Sequence, residues 1–123
     1  MLKLLSFLLL VSCAEKEIEK QPLPNYEVKA QDTEMINLVN QYRAQNNKRQ
    51  LIFRQDLANV ASTVVECNHN YFTDRAEYFH PLYLSECLAC GYSTTASSLN
   101  GLKNSEEHNE ILLDSTLVYI GVA

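Results

Sequence analysis

No internal repeat, no basic stripe and no membrane-spanning apolar run occurs in these 123 residues. Each absence removes a class. A spanning helix needs about 20 consecutive apolar residues, and the longest candidate, Leu4–Val11, is far shorter. Lys and Arg number 10 against 15 Asp and Glu, a net charge of -5. Phosphate neutralisation needs the opposite balance, so the chain is not a general nucleic-acid binder. Hydrophobic residues make up 46%, too many for a wholly disordered chain. The length suits one domain.

The chain opens Met1-Leu2-Lys3, followed by the apolar Leu4-Leu5-Ser6-Phe7-Leu8-Leu9-Leu10-Val11. One early positive charge and a core of this length read as a leader; a buried N-terminal strand or helix is the alternative. Leu10-Val11-Ser12-Cys13 resembles the bacterial lipoprotein signal. That resemblance implies cleavage after residue 12 and lipid on Cys13. Acyl chains then hold a water-soluble domain at a cell membrane, outside the cytoplasm. Residues 13–31 carry mixed charge and two prolines with no sustained apolar period, so they read as a solvated tether. Loss of residues 1–12 removes Lys3 alone and leaves nine basic against fifteen acidic residues.

From residue 32 the pattern becomes that of a folded domain. Asp32 or Thr33 can cap a helix opening at Glu34, with Met35, Leu38, Val39 and Tyr42 on one face. Leu51-Ile52-Phe53 is a short extended entry. A second helix carries Leu57, Val60, Ala61, Val64 and Val65 and ends around Cys67-Asn68-His69-Asn70. Residues 71–85 are irregular and aromatic. Cys87–Tyr92 reads as a buried strand stopped near Gly91. Ser93-Thr94-Thr95 caps a third helix on Ala96, Leu99 and Leu102, and Ser105 caps a fourth with Ile111–Leu113. Leu117–Val122 is the final strand. Two such strands do not make a stable sheet. Either a partner supplies another, or the chain is a shortened version of a longer fold.

In order, Leu38-Val39-Asn40-Gln41-Tyr42-Arg43, Leu57-Ala58-Asn59-Val60-Ala61, His80, Glu86-Cys87-Leu88-Ala89-Cys90-Gly91-Tyr92, Ser105-Glu106-Glu107-His108 and Ile120-Gly121-Val122 resemble the CAP (SCP-like) superfamily. The resemblance covers roughly residues 33–123. It implies a three-layer α/β/α sandwich over residues 32–123, with the C-terminal strands that close the family's sheet missing. It also implies a cleft holding His80, Glu86 and His108, with Ser105 beside them. Two imidazoles and a carboxylate suit a zinc-like ion with one position left for water, or a small polar ligand without metal. The family's Gly-Glu-Asn reads Ser85-Glu86-Cys87, no acid lies between residues 92 and 104, and only six positions separate His80 from Glu86, which makes His69 the alternative histidine.

Ser105 and His108 do not read as a hydrolytic pair, because neighbours on one helical turn lack an orienting third group and an oxyanion hole. Without Cys13, an odd number of cysteines remains: Cys67, Cys87 and Cys90. Side chains three apart on a strand point to opposite faces, so Cys67 pairs with either Cys87 or Cys90. A site of Cys67, His69, Cys87 and Cys90 around zinc is the chemical alternative. The sequence therefore predicts a lipid-anchored, extracytoplasmic binding module for a small ligand or an envelope partner. A zinc hydrolase acting on peptide or cell-wall material is the second reading, and a decayed, shortened relative the third.

Overall fold

The computed structural model describes residues 5–13, 23–70 and 84–123, with backbone alone at 64, 66–70 and 84. Strand β1 (Leu5–Ser12) is followed by helix α1 (Ala30–Gln45), strand β2 (Ile52–Phe53) and helix α2 (Gln55–Asn70). Strand β3 (Leu84–Tyr92), helix α3 (Thr95–Lys103), helix α4 (Glu106–Leu112) and strand β4 (Tyr119–Val122) complete the described elements. The sheet runs β2-β4-β1-β3. β1 is antiparallel to both β3 and β4, and β2 is parallel to β4.

This is an α/β/α sandwich built on a mixed sheet. Phe7, Leu9 and Val11 of β1 meet Met35 and Val39 of α1, Leu99 and Leu102 of α3 and Leu112 of α4 on one face. Leu8 and Leu10 meet Leu57, Val60 and Ala61 of α2 on the other. A strand covered on both faces reads as a continuous apolar run rather than an alternating one. That explains why Phe7, Leu8, Leu9 and Leu10 are all fully buried. Burying each such side chain contributes about 1.5–3 kcal/mol.

β1 is thus the strand that the sequence reading left unsupplied, and it comes from the run read as a leader. It lies between β3 and β4, so the two strands predicted from sequence do not pair with each other. Residues 23–29, read as part of the tether, lie along α2. The Tyr26 amide donates to Asn59 Oδ1 at 2.8 Å, and Gln55 Nε2 donates to the Tyr26 carbonyl at 2.7 Å. Leu23 and Tyr26 pack on the α2-side core. Residues 14–22 and 71–83, including His80, lie outside the described residues.

Local chemistry sets the element ends. α1 opens at Ala30, four residues before the predicted start. Asp32 acts from inside the first turn, its Oδ2 accepting the Lys29 amide at 2.8 Å and the Tyr26 hydroxyl at 2.6 Å. Thr94 caps α3 as predicted, its Oγ1 accepting the Ser97 amide at 3.0 Å. Gly91 has φ +85° where the β1–β3 register slips, a conformation that suits glycine at a bulge.

Candidate functional site

The residues of the first family-like motif are spent on holding the second half of the chain. Val39 is core. Asn40 Nδ2 donates to the Leu51 carbonyl at 3.0 Å, and its Oδ1 accepts the Leu51 amide at 2.7 Å, fixing the chain as it enters β2. The Tyr42 hydroxyl donates to Asn109 Oδ1, and Lys103 Nζ sits 4.3 Å over the Tyr42 ring. Arg43 is fully buried. Its Nε donates to the Arg49 carbonyl at 2.8 Å, and Nη1 donates to Leu112 and Asp114 carbonyls at 2.8 and 3.0 Å. Burial pulls the Arg43 pKa down, and Asp114 opposes the shift.

Tyr42 and Arg43 therefore grip α4 at two points. Tyr42 holds Asn109, the residue after His108, and Arg43 closes the orphan carbonyls at the helix's far end. His108 is half-buried in the opening turn of α4, and its carbonyl lies 4.0 Å from Cys87 Sγ on β3. Ser105 occupies the N-cap position with extended backbone, but its side chain makes no capping hydrogen bond. The position was legible; the bond was not.

Glu86 stands opposite Leu10 and Cys87 opposite Leu9 across the β1–β3 ladder. Leu9 and Cys87 share the core beneath α1, α3 and α4, so strand alternation turns half-buried Glu86 toward the α2 face. α4 packs on the Cys87 face. Glu86 and His108 thus flank the outermost described strand from its two sides. His80 lies outside the described residues, as do the side chains of Cys67 and His69.

Among the described residues, no group of three or more His, Cys, Asp or Glu side chains gathers closely enough to hold a metal ion. Glu86 and His108 lie on opposite sides of β3 and do not converge on one point, whereas a catalytic zinc site takes three protein ligands around one ion. Cys87 is buried, and burial pushes its thiol up to about 12, so it behaves as an inert core residue. Cys90 and Cys13 are exposed, and none of these three is in a disulfide. The opposite facing of Cys87 and Cys90 agrees with the expected strand alternation.

Sequence reasoning missed two polar clusters. Arg43 looks like an ordinary helix-face arginine. Asp32 is fully buried beside Tyr26, whose phenol burial and the Asp32 carboxylate push well above its ordinary value. The only available signal was that both acceptors and donors sit on the apolar side of α1's 3.6-residue period.

Compared with protein-family models, residues 36–123 match CAP, the cysteine-rich secretory protein family. No curated protein and no solved structure matches the chain. Among the described residues, no helix is long and apolar enough to cross a membrane.

Proposed function

Because the chain belongs to the cysteine-rich secretory protein (CAP) family, we propose that it is an extracytoplasmic interaction module, anchored by lipid on Cys13 after removal of residues 1–12. CAP domains are usually extracellular. The placement of His108 carries the binding part of this reading. It is half-buried in the opening turn of a helix that Tyr42 and Arg43 both fasten, with its backbone against the sheet edge that bears Glu86. An imidazole held in this way is pre-organised to meet a ligand, since little ordering remains to be done on binding. Ser105 and His80 are its proposed partners there, and a small polar ligand or a zinc ion is the proposed occupant; Glu86 faces the other side of β3. Cys13 is exposed at the end of β1, which suits modification.

Two measurements test this. Mass spectrometry of the N-terminus of chain isolated from cell envelopes should find lipidated Cys13 first; an unmodified Cys13 would remove the anchor. Zinc titration by calorimetry should give heat that His108→Ala and His80→Ala each abolish. Absent heat, or heat unchanged by both substitutions, removes the metal and with it the hydrolase alternative.

A further inference from the structure

The bond that the anchoring reading requires to be cut, Ser12–Cys13, lies at the end of a strand enclosed on both edges and both faces. Leu9–Ser12 pair with Leu84–Cys87 of β3 on one side and with Tyr119–Val122 of β4 on the other. The Ser12 carbonyl is itself an acceptor between strands, taking the Val118 amide at 3.0 Å. Ser12 is 1% exposed, whereas the side chain of Cys13 is open to solvent. Enclosure thus ends at the very peptide bond concerned.

Hydrolysis makes demands that this arrangement denies. A peptidase takes its substrate as an extended segment, paired by main chain in its own groove, and polarises the scissile carbonyl with its own donors. Here both edges of Leu9–Ser12 are already occupied, and the Ser12 carbonyl already has a donor. Nor can the strand peel away locally. Phe7, Leu9 and Val11 belong to the core beneath α1, α3 and α4, and Leu8 and Leu10 to the core beneath α2. Lifting β1 opens both cores and both ladders, so its release is coupled to loss of the whole fold rather than to fraying of an end.

We propose that docking of β1 is an autoinhibitory contact that withholds the chain from processing. While residues 5–12 are in the sheet, water does not add across the Ser12–Cys13 bond, the step that leaves a Ser12 carboxylate and a Cys13 amine. The leader is presented only before the sheet closes on it, or after the sheet has opened again. Closure and processing therefore compete. A chain that closes first keeps residues 1–12 and is not anchored, even though its Cys13 side chain is exposed. This inference rests on the anchoring reading and adds the order of events to it.

The test compares two preparations of the same full chain, each given to detergent-solubilised bacterial envelope membranes, which supply both the lipid and the peptidase. One preparation is folded beforehand, as shown by a cooperative melt; the other is diluted from urea directly into the membranes. Mass spectrometry of the N-terminus follows the product that begins at Cys13. The diluted chain should yield it. The folded chain should yield it about a thousandfold more slowly or less, because cutting an enclosed bond follows the fraction of open molecules, about 10⁻³–10⁻⁶. Ala89→Asp leaves the leader's own sequence intact and puts a charge into the core opposite Phe7, so it should be cut at the diluted rate without urea. Equal rates for the folded and diluted wild-type chain overturn the contact, as does an Ala89→Asp chain that stays soluble and uncut while the diluted wild type is processed. An unmodified Cys13 and an intact leader in both wild-type preparations remove the anchoring reading instead, and the proposed contact with it.

Discussion

Leu10 and Gly121 face each other across the β1–β4 ladder, and the space above Gly121 belongs to α2. A Cβ at Gly121 would lie 2.3 Å from the Ala58 amide nitrogen and 2.4 Å from the Leu57 carbonyl carbon. Both are backbone atoms, so no side chain can swing aside. Glycine here lets a helix close on a strand whose neighbour fills the same layer with leucine. Gly121→Ala should destabilise the chain by about 1–3 kcal/mol through overpacking, measured by urea unfolding; an unchanged midpoint would mean that α2 does not sit this close.

Arg43 ties three carbonyls from two parts of the chain. Its removal leaves buried acceptors unpaired, so Arg43→Ala should cost about 3 kcal/mol or more. Arg43→Lys keeps the charge but loses the planar fork and should fall between the two. Denaturant unfolding of the three proteins checks the order. Equal stability of Ala and wild type would contradict the buried role.

The Tyr26 phenol is held above its ordinary value, first by burial and then by Asp32. A tyrosine raised in the folded state stabilises fully below the unfolded value of about 10 and loses that contribution as pH rises above it. The stability gap between wild type and Tyr26→Phe should therefore narrow above that pH. Melting curves at neutral and alkaline pH measure it. A gap that widens would reverse the sign and overturn the assignment.

Cys90 is exposed, whereas Cys87 is buried, and that burial raises the Cys87 thiol. After reduction, a thiol reagent should modify Cys90 in the native protein and reach Cys87 only on unfolding. Peptide mapping by mass spectrometry distinguishes them. Equal rates at both positions would contradict the burial of β3.

What the sequence revealed depended on whether one face was polar. Met35 and Val39, or Leu57, Val60 and Ala61, recur at helical spacing against polar neighbours, so α1 and α2 were legible from period alone. Thr94 announced α3 through capping chemistry. β1 was legible only as the alternative to a leader, a buried strand or helix. A run buried on both faces shows no alternation, and eight apolar residues at a chain start suit a leader equally well. The site was partly legible. The alternation argument that separates Cys87 from Cys90 also turns Glu86 away from the face on which α4 packs, but the placement of α4 itself needed the fold. Arg43 escaped notice because sequence does not reveal which long polar side chain is covered.

The account depends most on residues 5–12 forming the middle strand of the intact chain. Amide hydrogen exchange, followed by NMR or mass spectrometry on the uncut protein, measures this directly. The amides of Leu8–Ser12 should exchange as slowly as those of Cys87–Ala89 and lose protection only with global unfolding. Exchange at the rate of an unstructured peptide in Leu8–Ser12, with β3 still protected, would contradict it.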